Sequence, residues 1–482
     1  MGVEVIVAIT IILLLVFLAL GVPVAFSLAT SATLGILLLR SPDQATAALA
    51  SAPYAAVSSY SLAIIPMYML LGMLAINGKL SERVYQLAAR AFRRIPGGLG
   101  VATVAACAGF ASVSGSSVAT AASVGRMSIA EMRKHGYNPG FAAGIVAVGG
   151  TLGVMIPPSV ILVMYGILSQ ESIASLLAAG VVPGLVLALA YMAFVVLRAP
   201  SQVTAVDSST DLERELVHAG ARVASVHGAG SAGAPPASSV PSSPSAGAGV
   251  GKDSSGIGIR HLRAVLWLGL IFAAVMVGMF SGVFTVIESA AFACLVAVIM
   301  VFSENFRSGF KETLSIFADA VKEAAGITSM AFMLLVGASI LTTFLVLSRL
   351  PQKLVDWVSV LGVPPIVVVI AILIALIPLG MFLESLSLIV VVVPLVHPII
   401  TELGYDGIWF AVLFVIMLEI GMITPPVGMN VFVVAGAAKL DSVTVFRGVL
   451  PFLIPTFVVI ALIILIPEIA LWLPGLASGD AP

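Results

Sequence analysis

Long apolar runs recur along the whole chain and dominate its pattern of side chains. A membrane-crossing helix needs about 20 mostly apolar residues, and runs of roughly that length recur from end to end. They predict helices at residues 3–20, 22–39, 54–77, 140–168, 174–197, 264–280, 284–302, 325–347, 407–438 and 449–473. The chain is therefore expected to be an all-α polytopic membrane protein.

Two further apolar stretches do not fit a simple crossing. Residues 99–125 carry a Ser/Gly cluster at their centre, and residues 363–399 are too long for one crossing. The second stretch has Glu384, Ser385 and Ser387 in its middle. Lysine and arginine flank the first stretch on both sides, and such charges are typical of cytoplasmic loops. Both stretches are therefore predicted to be re-entrant helical hairpins, each with a polar tip inside the membrane.

The distribution of positive charge also predicts the orientation. With two hairpins and a periplasmic N-terminus, 19 of the 22 lysines and arginines fall on the cytoplasmic side. Only Arg40, Arg349 and Lys353 fall outside. The opposite orientation reverses this balance and conflicts with the positive-inside rule. The first hairpin is therefore expected to open to the cytoplasm and the second to the opposite face.

The two halves of the chain repeat one order of motifs at an offset of 268 residues. Each half has a hairpin, a glycine turn with an Asn or Asp at a helix N-cap, and a helix broken at paired prolines. The aligned positions are Gly136 and Gly404, Tyr137 and Tyr405, Asn138 and Asp406, Gly153 and Gly421, Pro157 and Pro425, and Pro158 and Pro426. Because the hairpins open to opposite faces, the repeats are inverted. Inverted repeats with discontinuous helices are typical of secondary transporters, whose site lies near the membrane midplane.

The paired prolines change the backbone chemistry of both broken helices. Proline has no N–H to donate, so carbonyls four residues earlier lose their helical partners. In the membrane such carbonyls persist only inside protein or beside a polar cavity. The carbonyls predicted to be released are those of Gly153, Val154, Gly421 and Met422. Carbonyl ends of this kind coordinate Na⁺, while the positive N-termini of the following half-helices face anionic substrates.

Na⁺ is therefore the predicted coupling ion, at two or more sites completed by hydroxyls of the hairpin tips. The predicted ion-binding residues are Ser112, Ser114, Gly115, Ser116, Gly153, Val154, Ile156, Pro157, Glu384, Ser385, Gly421, Met422, Thr424 and Pro425. The predicted substrate-binding residues are Ser117, Pro158, Ser159, Ser387, Pro426, Gly428 and Asn430.

Carboxylates inside a membrane are functional candidates because they are costly to keep there. Glu384, at the second hairpin tip, is interpreted as a ligand for a cation or a proton. Glu419 has the alternative role of satisfying the loosened backbone beside the second break. Glu288 is expected to be structural, and His397 to pack or to form a hydrogen bond.

Composition excludes several classes of function. The 482 residues are 60% hydrophobic and 9% charged, and a net charge of -1 offers no basis for nucleic-acid binding. No nucleophile and base pair is recognisable, so the chain is not expected to be an enzyme. Residues 200–256 are rich in Ala, Gly, Ser and Pro, a composition typical of disordered linkers. This linker is expected on the cytoplasmic side.

Several motifs together resemble the large membrane subunit (DctM-type) of TRAP transporters, the tripartite ATP-independent periplasmic family within the ion transporter superfamily. These motifs are "GFASVSGSSVATAASVG", "MRKHGY", "GGTLGVMIPPSVILVMYG", "GVFTVIESAA" and "EIGMITPPVGMNVFVVAG". The similarity extends over nearly the whole chain except the linker. It implies a Na⁺-coupled importer of organic acids, such as a C4-dicarboxylate, sialic acid or a related carboxylate, in a bacterial inner membrane. It also implies an elevator mechanism, in which a transport domain moves against a scaffold.

The resemblance further implies two protein partners, a small four-helix membrane subunit and a soluble periplasmic substrate-binding protein. Since the chain starts at the large subunit's first helix, the small subunit is expected to be a separate polypeptide. The domains predicted on this basis are a scaffold with a cytoplasmic arm at 1–98, a first repeat core at 99–199, the linker at 200–256, a second scaffold and arm at 257–362, and a second repeat core with the C-terminal helix at 363–482.

Two other functions remain open from the residues alone. The same inverted repeat suits a self-sufficient carboxylate symporter or antiporter, which needs no periplasmic protein. A scaffold or receptor without transport activity is the third possibility, and it predicts no substrate-dependent Na⁺ flux.

Overall fold

The structure is a computed structural model that describes residues 2–203, 259–305, 309–360 and 362–478. Nearly all of the linker predicted at 200–256 lies outside the described residues. Within these ranges every regular element is a helix, apart from an isolated bridge between Tyr137 and Val203. The predicted all-α class is confirmed.

The α-helices are numbered here in chain order, and two short 3₁₀ helices lie at Tyr60–Ala63 and Leu450–Phe452. Their bounds are α1 Val3–Ala19, α2 Val24–Leu39, α3 Pro42–Val57, α4 Ile64–Asn77, α5 Leu80–Ala91, α6 Gly98–Ser114, α7 Ser117–Lys134, α8 Pro139–Met155, α9 Val160–Ser169, α10 Ile173–Gln202, α11 Ile259–Phe280, α12 Val286–Asn305, α13 Phe310–Ser348, α14 Leu350–Val360, α15 Pro365–Phe382, α16 Ser385–Glu402, α17 Gly407–Ile423, α18 Met429–Ala438, α19 Ser442–Val449, α20 Leu453–Leu465 and α21 Glu468–Ser478.

The described residues contain eight helices that are long and apolar enough to cross a membrane, or nine if the bent pair α8 and α9 counts as one crossing. This confirms a multi-pass membrane protein. Two predicted runs are divided differently. The run at 54–77 is interrupted at Ser58 and Ser59, so the crossing begins at Tyr60. The run at 449–473 breaks before Pro467, which cannot donate to a helical hydrogen bond.

The internal repeat is visible in the helix bounds. Helices α7 and α16, and likewise α8 and α17, begin and end at residues 268 apart. The N-caps are equivalent as well, because Asn138 Oδ1 accepts from two backbone N–H groups of α8, and Asp406 Oδ1 does the same for α17. Local sequence therefore starts both central helices by one mechanism.

The two predicted hairpins correspond to α6–α7 and α15–α16. The first turns at Gly115, whose φ of +60° suits glycine, and its second arm runs past the predicted limit to Lys134. The second turns at Leu383 and Glu384. Arms α6 and α7 pack on each other and on α8, whereas α15 packs mainly along α17 and α16 along α9. The second hairpin therefore joins the two halves.

Helices α8 and α17 form the centre of the molecule. Nearly all of their residues are buried, as expected for helices that are apolar on every side. A second group, α1–α4 with α11–α13, packs largely within itself. The hairpins and broken helices thus form one packed body beside this group.

A buried carboxylate fastens the arm helix α5 to α11 and α12. Glu304 Oε2 lies 2.6 Å from Arg83 Nη1, and Glu304 Oε1 lies 3.0 Å from Arg263 Nη2. Trp267 Nε1 donates to the same Oε1 at 3.2 Å. The Glu304 side chain is only 6% exposed, so its charge depends on these partners.

We expect Glu304→Gln to lower the free energy of unfolding by about 2 kcal/mol, because two arginines lose their charged partner. Thermal unfolding of the purified chain in detergent measures this loss. Glu82→Gln, on the exposed side of the same arm helix, is the matched control and should change stability by less than about 0.5 kcal/mol. Equal losses in both variants would contradict a fastening role for Glu304.

Candidate functional site

The first break lies between α8 and α9, which are bent by 44° at this point. Pro157 and Pro158 stand where N–H groups would otherwise reach the carbonyls of Gly153 and Val154. Beyond the break, the Ser159 hydroxyl accepts from the N–H of Leu162 and caps α9. The break therefore combines a carbonyl end and a helix N-terminus, as predicted.

The second break lies between α17 and α18, at Pro425 and Pro426. Here the prediction is partly wrong, because the Gly421 carbonyl accepts from the N–H of Thr424 at 3.2 Å. The tightened last turn replaces one of the backbone hydrogen bonds that the prolines removed. The second lone pair of the Gly421 carbonyl remains available. The Thr424 hydroxyl donates to Ile420 O at 2.5 Å, so only its oxygen lone pairs are available. Both Pro–Pro bonds are cis.

The first hairpin tip packs directly on the first break. A Cβ at Gly153 would lie 2.6 Å from the Ser116 carbonyl and 2.7 Å from Thr120 Oγ1. Thr120 in turn donates to the Ser116 carbonyl and lies 2.6 Å from Ser114 Oγ. Several oxygens thus converge beside the carbonyl end of α8. Thr120 was missed by sequence reasoning, although it lies one helical turn after Ser116 and faces the same side.

Other residues of the first tip have more local roles. The Ser112 hydroxyl donates to the Gly109 carbonyl of its own helix at 2.6 Å, and the Ser116 hydroxyl caps α7. A Cβ at Gly115 would lie 2.9 Å from the Pro158 carbonyl. Ile156 donates its N–H to Leu152. Ser112 is therefore the predicted ligand with the least support from the geometry.

Glu419 joins the two hairpin tips. Its Oε1 accepts from Ser117 Oγ and from Ser385 Oγ, both at 3.2 Å, and the residue is only 4% exposed. The expected alternative, in which Glu419 satisfies the loosened backbone, is wrong because its observed partners are side-chain hydroxyls. Sequence reasoning found this carboxylate but not its partners, which come from both halves of the chain.

Several buried polar atoms near this junction lack a hydrogen-bond partner among the described residues. They are Glu419 Oε2, Glu384 Oε2, and both Oδ1 and Nδ2 of Asn430. Asn430 is fully buried in the first turn of α18. Buried polar atoms normally have partners, so these atoms suit a polar ligand or a cation.

The two breaks differ in their surroundings. Pro157 and Pro158 are buried, whereas Pro425 and Pro426 are exposed. The remaining predicted residues lie beside the second break or the second tip: Ser387 and Gly428 are buried, and Met422 Sδ lies 2.6 Å from Ser385 Oγ. The two proline pairs, which are equivalent in the repeat, therefore differ in their exposure.

His397 has the hydrogen-bonding role expected of it. Its Nδ1 lies 3.0 Å from Tyr165 Oη, and its Nε2 lies 3.6 Å from Glu171 Oε1. Burial and the neighbouring Asp406 raise the pKa of the Glu171 carboxyl. These contacts connect α16 of the second half to the end of α9.

Comparison with known proteins agrees with this geometry. A family model described as "Tripartite ATP-independent periplasmic transporter, DctM component" matches residues 11–469. The chain is 31% identical to a C4-dicarboxylate TRAP transporter large permease of Vibrio cholerae, over 98% of both chains. It is 30% identical to a sialic acid TRAP transporter large permease of the same organism, over 95% of this chain and 96% of that one.

A solved structure, the Alcanivorax borkumensis YdaH transporter, is also similar. The TM-score is 0.57, with 14% sequence identity over 91% of this chain and 90% of that chain. At this identity the likeness concerns the fold alone.

We expect Glu419→Ala to lower the free energy of unfolding by about 2 kcal/mol, because two buried hydroxyls lose their shared acceptor. Glu419→Gln keeps a side-chain oxygen at similar volume and should cost about half as much. Thermal unfolding in detergent compares the two variants. Adding Ser117→Ala to Glu419→Ala should cause little further loss, and a fully additive loss would argue against the shared junction.

Proposed function

This chain belongs to the DctM component family of tripartite ATP-independent periplasmic transporters, and from that premise we propose that it is the translocation subunit of a Na⁺-coupled importer of organic acids. The family consists of transport proteins and not of enzymes. The observation that carries the proposal is the convergence of both hairpin tips on Glu419, with a proline break beside each tip. A polar junction of this kind at the meeting of two repeats is where secondary transporters bind their cargo.

Na⁺ fits the donor atoms available at the first break. Gly153 and the oxygens of Ser114, Ser116 and Thr120 lie within one small region. The carbonyls of Gly153 and Val154, which the prolines leave without helical donors, are the further uncharged oxygen ligands proposed here. Half-helix carbonyls of this kind bind Na⁺ in other transporters. Ser112 is the weakest member of the predicted set, because its hydroxyl bonds its own helix.

A second Na⁺ site is proposed at the second break. The Met422 carbonyl, the free lone pair of Gly421 and the Thr424 oxygen are available there, with Ser385 from the facing tip. Glu384 adds a buried, unpartnered oxygen near the same tip. The second site is therefore the more negative of the two.

An anionic substrate suits the helix N-termini beside the breaks. Helix α9 begins after Ser159 and α18 after Gly428, and the N-terminal end of a helix carries partial positive charge. Asn430 can donate to a carboxylate through its unpartnered Nδ2. Relatives named for a C4-dicarboxylate and for sialic acid make a carboxylate the leading substrate class.

The wider arrangement suits an elevator. The group α1–α4 with α11–α13 is proposed as the scaffold, and the hairpins with the broken helices as the moving transport domain, because each group packs mainly within itself. The chain would lie in a bacterial inner membrane with its N-terminus in the periplasm. It would work with a small four-helix membrane subunit and a periplasmic binding protein that delivers the substrate.

Reconstitution tests this function. Proteoliposomes containing the full chain and the small membrane subunit should take up labelled C4-dicarboxylate or sialic acid only with an inward Na⁺ gradient and the matching periplasmic protein. Replacing Na⁺ by K⁺ is the control and should abolish uptake. Uptake without the periplasmic protein would instead indicate a self-sufficient transporter, and the absence of any substrate-dependent Na⁺ flux would indicate a scaffold or receptor.

Pro157→Ala combined with Pro158→Ala should weaken Na⁺ coupling more than folding. New N–H groups can bond the Gly153 and Val154 carbonyls and compete with the ion, so we expect the Na⁺ concentration for half-maximal uptake to rise about 10-fold, equivalent to about 1.4 kcal/mol. Uptake measured against Na⁺ concentration tests this expectation. Pro183→Ala, which lies inside the continuous helix α10, is the matched control. Unchanged Na⁺ dependence in the double variant would contradict the proposed ion site.

A further inference from the structure

A basic pocket lies away from the candidate transport site, where α8, α10 and α19 meet. It has a volume of about 350 Å³, within the range of about 300–1,000 Å³ that is usual for small-ligand pockets. Its polar lining comes from Arg198 and Gln202 on α10, from Arg447 and Thr444 on α19, and from Asn138 at the start of α8. Both halves of the chain therefore contribute to this pocket.

The charge of this pocket is unbalanced. Its lining includes two arginines and no carboxylate, and among the described residues neither arginine forms an ion pair. Two other pockets with charged linings mix both signs: one contains Lys322 with Asp319 and Glu323, and another contains basic residues together with Asp356. Two unpaired guanidinium groups that face one space attract an anion. Arginine forks suit phosphate oxygens in particular.

The backbone around the pocket is closely packed. A Cβ at Gly140 would lie 2.9 Å from the Thr444 carbonyl, and a Cβ at Gly448 would collide with the Gly140 carbonyl. Helices α8 and α19 therefore cross in direct backbone contact and form a closely packed wall of the pocket. The guanidinium carbon of Arg198 lies 5.7 Å from the centroid of the Phe194 ring, a cation–π contact that helps to orient the arginine.

Exposed apolar side chains lie close in the chain to both arginines of the pocket. Leu197 is 78% exposed beside Arg198, and Val443 and Leu450 are 51% and 47% exposed on either side of Arg447. In a multi-pass protein, exposed apolar side chains of membrane helices suit contact with the acyl chains of lipid. A cationic pocket beside exposed apolar side chains matches an anionic phospholipid, with its phosphate in the pocket and its acyl chains along the apolar side chains.

We infer that this pocket binds the phosphate headgroup of an anionic phospholipid. The site lies on the face that the distribution of Lys and Arg assigns to the cytoplasm, where anionic lipids interact with basic pockets between membrane helices. The bound lipid connects the first half of the chain, through α8 and α10, with the second half, through α19. This inference does not depend on the proposed transport function.

Thermal unfolding of the full chain, purified and delipidated in a neutral detergent, tests the inference. Phosphatidylglycerol should raise the melting temperature, whereas phosphatidylcholine and inorganic phosphate at the same phosphate concentration should not. Arg198→Gln combined with Arg447→Gln should weaken the apparent affinity for phosphatidylglycerol about 10-fold or more, since each basic residue contributes to lipid attraction. Arg94→Gln combined with Arg133→Gln removes the same charge from exposed positions outside the pocket and should leave that affinity nearly unchanged.

Three results would overturn the inference. Equal stabilisation by inorganic phosphate would assign the pocket to a soluble phosphate in place of a lipid. Equal weakening in both double variants would reduce the effect to net charge, and an unchanged affinity in the pocket variant would exclude the site. If the double variant is not monodisperse, Arg447→Gln alone, at an exposed position on α19, is expected to shift the affinity in the same direction.

Discussion

Backbone groups inside a membrane need partners within the protein, and both broken helices of this chain depend on that constraint. The prolines remove N–H donors at two central positions, so each carbonyl end has to lie against another polar or closely packed segment. The first break lies against the Ser116 carbonyl and Thr120. At the second break, a Cβ at Gly421 would lie 2.7 Å from the Cα of Gly380. Glycine at both contacts lets the backbones approach, which explains why each hairpin is packed on a break.

Glu419 extends this dependence across the two halves. One carboxylate oxygen accepts hydrogen bonds from a hydroxyl of each tip. Neither hairpin is therefore positioned independently of the other. Buried polar networks of this kind are sensitive to the loss of one member. The two halves nevertheless differ, because the first break is buried and the second is exposed. Repeated sequence therefore produces equivalent helices in unequal surroundings.

The family and the choice of substrate depend on different features. Relatives named for a C4-dicarboxylate and for sialic acid both match this chain over nearly its full length. A match over nearly the full length consequently identifies the family without distinguishing these substrates. Positive helix N-termini and unpartnered polar atoms favour an anion, while the finer selection is proposed to belong to the periplasmic partner.

The sequence by itself determined the helical class, most of the crossings, the repeat offset, the N-caps at Asn138 and Asp406, and the positions of both breaks. All of these follow from periodicity or from the chemistry of residues that are neighbours along the chain. Only the tertiary structure decided the partners of Glu419, the role of Thr120 and the different exposure of the two proline pairs. Ser117 and Glu419 are 302 positions apart. A hydroxyl can bond any nearby acceptor, so the acceptor that it finds depends on which helices pack together. No local sequence pattern contains that information.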